Sequence, residues 1–275
     1  MELLNPSPVP ILPRTMWVLY RALLSTPNLT RQELVEAVCP STMVEETPGG
    51  GAHVKRGLDA LVRYGLVLVE NGSDSETQTL TAEGGANVHT FVRKVRRAML
   101  DDSGGSEPPP DDLRRGAIWL LSQAPNKPLD QRLADHEVPG LFTNSTRWNT
   151  FTYWATFLGL GRDWPLDGGG LAVDPTNAVA DAICFPLGKA LDVGRPIELQ
   201  RMVQHIEAEL PILAAEPGTR DTGLSPALAY ALRSLGSLGR LTFERRSDAP
   251  SVVRFPALAG ASEELYSHVT LGADA

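Results

Sequence analysis

Few residues of this chain stand at spacings that a reaction could use. The five histidines, His53, His89, His136, His205 and His268, are far apart, and none lies at ligand spacing from a cysteine or another histidine, so no metal is expected. Cys39 and Cys184 fall in different regions and read as reduced thiols packed as small hydrophobes. Gly49-Gly50-Gly51 is not a phosphate-binding loop, because no strand precedes it and Lys55 is followed by Arg56 instead of serine or threonine. Gly223-Leu224-Ser225-Pro226-Ala227 has the outline of a nucleophile elbow. Thr219-Arg220-Asp221-Thr222 before it is no buried strand, however, and a proline after the serine suits a helix start. No Glu-x-Lys pair of the kind used by many metal-dependent nucleases occurs. No catalytic residue and no cofactor are expected.

What remains is electrostatic. The formal charge is -8, and five of the acids fall in one stretch, residues 101–112, which holds no basic residue. Its composition, Asp-Asp-Ser-Gly-Gly-Ser-Glu-Pro-Pro-Pro-Asp-Asp, predicts a solvated linker, which leaves the flanking parts nearly neutral. Only Lys55, Lys94, Lys127 and Lys189 are lysines among 25 basic residues. Arginine forks onto phosphate and guanine, and a GC-rich genome produces the same bias. No window approaches the roughly 20 unbroken apolar residues of a membrane span. The start, Met1-Glu2-Leu3-Leu4-Asn5-Pro6-Ser7-Pro8, lacks the basic flank and apolar core of a secretion signal. A cytoplasmic protein without membrane contact is expected.

The elements around these charges read as a mainly α protein with small β-hairpins (α+β), in segments 1–100, 113–192 and 193–275 joined at 101–112. In the first, Thr15 to Leu24 is an apolar helix; Thr30 with Glu33 forms a capping box that opens a second helix. Ala52 to Tyr64 is a third. Its wheel puts Val54, Leu58 and Leu61 on one side and Ala52, Lys55, Arg56, Asp59 and Arg63 within about 100° on another. Leu66 to Glu70, a turn at Asn71-Gly72, and Thr77 to Thr81 predict a ribbon. Ala82 to Leu100 continues as a helix whose end, Arg93-Lys94-Val95-Arg96-Arg97, reads as solvated charge favourable at a helix carboxyl terminus.

The pattern recurs. Leu113 to Ser122, Leu129 to His136 and a helix capped at Asn144-Ser145 precede a hairpin over residues 159–174 with a turn-rich tip, Pro165 to Gly169. On the third of these helices Trp148, Phe151, Ala155 and Leu158 point inward and Thr146, Asn149, Thr150 and Tyr153 outward. That neutral outer face suits a protein partner better than phosphate. In the last third, a helix from Ile197 to Leu210 and another from Pro226 lead to a hairpin predicted between Leu241–Glu244 and Val252–Phe255, with Arg245 and Arg246 at its tip.

Helix, helix, helix and hairpin over Leu29 to Thr81 resembles the winged helix-turn-helix family, with two further copies behind it. The resemblance implies a third helix in the major groove and a ribbon on the backbone. Lys55, Arg56, Arg63, Arg245 and Arg246 are then the DNA contacts, and Thr146, Asn149, Thr150 and Tyr153 bind protein. The opening Leu3-Leu4-Asn5-Pro6 and the run Trp17 to Leu24 ahead of three such units are similar to the DpdG-type accessory proteins encoded beside bacterial 7-deazaguanine DNA-modification genes. This implies a non-catalytic, DNA-binding subunit of a DNA-modification or phage-defence system. Its expected partners are duplex DNA and other protein subunits, with homodimerisation left open. The alternative is a condensin-like tandem winged-helix adaptor with little DNA affinity of its own. A free-standing transcription regulator stands behind both, and an enzyme last.

Overall fold

A computed structural model describes residues 2–5, 9–40, 51–71, 78–82, 87–101, 108–125, 127–164, 169–186, 190–214, 223–257 and 262–272. Linker residues 102–107, Gly49 and Gly50, Gly72 and Thr77 of the first ribbon, the tip at 165–168 and residues 219–222 lie outside them.

The apolar run near the amino end forms α1 (Pro13–Ser25), with proline at the first turn, where a missing N–H breaks no bond. β1 (Leu29–Thr30) leads into α2 (Arg31–Val38). The capping box forms as predicted, with Glu33 N–H donating to the Thr30 hydroxyl and the Glu33 carboxylate accepting from Thr30 N–H at 2.8 Å. Donation from the Thr30 N–H and, at 2.7 Å, from the Thr30 hydroxyl holds the Glu33 carboxyl below its ordinary range. α3 (Ala52–Arg63), β2 (Leu68–Asn71), β3 (Gln78–Thr81) and α4 (Val88–Leu100) follow. The sheet order is β1-β3-β2, antiparallel throughout. α1 packs on α3 closely enough that a Cβ on Gly57 would meet Leu19 at 3.3 Å.

The same order of elements returns twice. α5 (Asp111–Ser122), α6 (Gln131–Glu137), α7 (Ser145–Phe157), β4 (Gly161–Asp163) and β5 (Leu171–Val173) form the second run. There Leu129 alone stands in for the first strand, bridging Leu171. The third run has α8 (Thr176–Cys184), β6 (Pro196–Glu198), α9 (Leu199–Glu209), α10 (Pro226–Ser237), β7 (Leu241–Glu244) and β10 (His268–Leu271). Between its last two strands a separate hairpin is inserted, β8 (Val253–Phe255) with β9 (Glu264–Tyr266). In every run the short first strand pairs with the last, as in the order β6-β10-β7. Gly65, Gly159 and Gly239 each follow a third helix with φ of 66°, 68° and 73°, a left-handed stop that turns the chain into its ribbon.

Two expectations are corrected. β7 does not pair with residues 252–255; it pairs with β10, in a register that sets Leu241 opposite Leu271 and Phe243 opposite Val269. Burial of Val269 and Leu271 rewards that closure, whereas alternation along β7 alone is satisfied by any apolar strand. Residues 176–184, at the end of segment 113–192, form α8, which packs on α9 and α10 as the first helix of the third run.

Contacts divide the chain into two compact units, Met1–Gly116 with Ala134–Phe157, and Ala117–Leu133 with Leu158–Ala275. Segment 113–192 contributes to both. In the first unit Tyr20, Phe91, Phe142, Phe151 and Trp154 are fully buried, and the Phe91 ring lies 4.8 Å from Tyr20 and 6.3 Å from Phe157. In the second, Met202, Ile206, Leu232 and Phe255 are core residues, with Phe255 edge-on to Phe243 at 5.3 Å.

Gly116 is a close-packing position in the first unit. A Cβ there would come within 2.6 and 2.9 Å of two Phe151 ring carbons and 3.2 Å of Phe142. Because both rings are fully enclosed, Gly116→Ala is expected to destabilise the fold by about 1–3 kcal/mol through overpacking, despite alanine's better helix propensity. A urea midpoint unchanged or raised would show that the rings give way freely.

Candidate nucleic-acid interface

The outward side of α3 carries the predicted cations, and the structure separates them. Lys55 and Arg63 are exposed. Arg56 is half-buried, and its guanidinium donates to the Val9 carbonyl and, at 3.5 Å, to that of Asn5. Asp59, on the same side, is paired with Arg31 of α2. Arg56 thus anchors the opening stretch to α3. A wheel cannot show that residues 9–12 run along this turn of α3. Arg56→Ala is expected to lose about 1–2 kcal/mol of stability, the scale of a charged hydrogen bond. Duplex affinity of the folded variant should be unchanged, as checked by thermal melting beside a binding titration.

The segment held by Arg56 is the opening stretch, with Leu3, Leu4 and Ile11 fully buried. Leu3 and Leu4 N–H donate to the two oxygens of Asp112 at 3.1 and 2.6 Å. His53 Nδ1 lies 3.1 Å from the Pro10 carbonyl, Trp154 Nε1–H donates to the Ile11 carbonyl at 2.8 Å, and Arg147 pairs with Glu2 at 3.0 Å. Asp112, expected to be solvated linker, is buried in the first turn of α5. Burial pushes its carboxyl above the ordinary range, outweighing donors at Leu4, Leu3 and Leu113. Its place directly before Leu113 of an apolar helix was the available signal, since acids favour first turns. The basic end of α4 is likewise less solvated than expected: Arg96 is buried and Lys94 Nζ donates to the Tyr20 hydroxyl at 3.3 Å.

On α7, Thr146, Asn149 and Tyr153 are exposed, Tyr153 at 63%. Thr150 is not outward: it is 3% exposed and its hydroxyl donates to the Thr146 carbonyl at 2.8 Å. The buried side of α7 is wider than the predicted stripe because it includes Trp154, and Thr150 lies one turn before it on that flank. Arg147 is engaged by Glu2, leaving the exposed face neutral.

The third helix of the last run presents little. Ala227, Leu228, Ala229, Ala231, Leu232 and Leu235 of α10 are buried. Arg233 grips the inserted hairpin through Glu264 Oε2 at 3.0 Å and the Pro256 carbonyl at 2.9 Å, with its guanidinium 5.4 Å from the Phe255 ring centre. After β7, Arg245 is exposed, while Arg246 turns back onto Glu244 at 2.9 Å and its N–H donates to Ser267 Oγ. Arg246 is thus largely neutralised in place. No helix among the described residues is long and apolar enough to cross a membrane.

A family defined as DpdG-like matches residues 1–249. The chain belongs to the DpdG-like family. No curated protein and no solved structure matches it. The DpdG-like match takes in the opening Leu3-Leu4-Asn5 and the run Trp17 to Leu24 that carried the resemblance. It also takes in α3, α7 and α10, and stops before β8. Sequence reasoning missed Asp112, Trp154 and Arg233, each of which acts through partners distant in the chain.

Proposed function

We propose that this DpdG-like chain is a non-catalytic accessory subunit that brings a DNA-modification machinery to duplex DNA. Family membership suggests a role in a DNA-modification system. The finer reading is carried by one observation, the exposure of Lys55 and Arg63 on α3, the third helix of a run whose strands follow the order β1-β3-β2. That order is the one a winged helix-turn-helix has, and in such units the third helix enters the major groove. Other subunits of the system, in a bacterial cytoplasmic or phage-defence setting, complete the proposal.

The test is binding of a fluorescent duplex of mixed sequence at several salt concentrations. Affinity should fall with salt at a slope of about -0.9 per phosphate neutralised; no retention even at low salt removes the DNA reading. A second reading, a protein-binding adaptor, is favoured by the neutral face of Thr146, Asn149 and Tyr153. Under it Tyr153→Ala releases a stoichiometric subunit of the same system and leaves any duplex binding intact.

A further inference from the structure

The ribbon of the first run differs from a DNA-contacting wing in its charge. From Leu66 to Thr81 the chain holds Glu70, Asp74 and Glu76 and no basic residue, so it repels phosphate. β2 is the edge strand of the order β1-β3-β2, and among the described residues it pairs with β3 alone. Alternate residues of an antiparallel edge direct their N–H and C=O groups away from the sheet, which makes β2 an open template for a further strand. Leu68 and Val69 are 46% and 40% exposed and, being adjacent, point to opposite faces. Both faces of the strand are thus partly open to solvent. Glu70 is exposed as well, with its Oε1 accepting from the Thr81 hydroxyl at 3.4 Å. No lysine or proline lies between Leu68 and Asn71, so the charge on this short edge is that of Glu70.

We infer that the outer edge of β2 receives an extended segment of a protein partner, bearing lysine or arginine among apolar residues, as a fourth strand of this sheet. The backbone edge supplies affinity, Leu68 and Val69 supply apolar contact, and Glu70 selects the charge of the incoming segment. A second copy of this chain fits less well, because its own β2 would bring a second Glu70. This inference stands independently of the DNA reading, which rests on α3.

Three blocked hexapeptides test it against the full chain by fluorescence anisotropy: alternating Lys and Val, alternating Glu and Val, and the Lys and Val peptide with alternate amides methylated. The lysine peptide is expected to bind at least about tenfold more tightly than either of the others, since cross-strand charge and edge hydrogen bonds both favour it. Glu70→Lys, a surface change checked for folding by circular dichroism, should reverse the preference between the lysine and glutamate peptides. Absence of binding, indifference to charge or to amide methylation, or an unchanged order with Glu70→Lys overturns the proposal. So does concentration-dependent dimerisation abolished by Glu70→Lys, which would make the second copy the occupant, or protection of β2 amides from exchange by duplex.

Discussion

Alanine in place of Asp112 is expected to destabilise the first unit by about 2–4 kcal/mol, because it leaves buried N–H donors of Leu3, Leu4 and Leu113 without an acceptor. The loss reaches beyond three bonds. Leu3, Leu4 and Ile11 are fully buried, and the segment carrying them also meets Arg56, His53 and Trp154, so its release exposes apolar surface at about 25 cal/mol per Å². Urea denaturation is the measurement, and a loss under about 1 kcal/mol would mean that water replaces the carboxylate readily. Asp112→Asn separates the shape of the site from its charge. The folded Asp112 carboxyl is raised above its ordinary value of 3.8 by burial, so the folded state holds the proton more tightly than the unfolded chain. The part of its contribution that depends on this proton is therefore complete below pH 3.8 and is lost as pH rises through the raised value, while the accepted N–H bonds persist. The stability of the natural chain relative to Asp112→Asn should fall across that window, and a difference that rises with pH would reverse the assignment.

Charge reversal at Lys55 and Arg63 together is expected to lower duplex affinity by at least about tenfold at low salt and to flatten the salt slope by about 2, close to one unit per phosphate contact removed. Both side chains are exposed, and neither belongs to the core of α3, which is built from Val54, Gly57, Leu58, Ala60 and Leu61. Thermal melting beside the titration separates loss of a phosphate contact from loss of fold. An unaltered titration would remove α3 from the interface. It would not touch the assignment of β2, whose peptides bind elsewhere on the unit.

Local order was legible along the chain wherever a physical signal was itself local. The Thr30 and Glu33 capping box and the inward stripe of Val54, Leu58 and Leu61 rest on interactions within about seven residues. Each stands in the structure as read. The α+β class follows from the same signals repeated.

Tertiary structure alone decided which charges face outward and which strands meet. Arg56 and Lys55 are neighbours on one helix, yet a distant segment folds over the first and leaves the second to solvent. Asp112 reads as linker by composition and becomes an enclosed acceptor because two backbone donors from the other end of the unit arrive at its oxygens. β7 pairs with β10 and not with β8, and that pairing goes with burial of Val269 and Leu271. In all three cases the deciding contact joins residues far apart in sequence. Periodicity and composition report how a segment partitions between water and core, and they hold no information about which remote partner completes it.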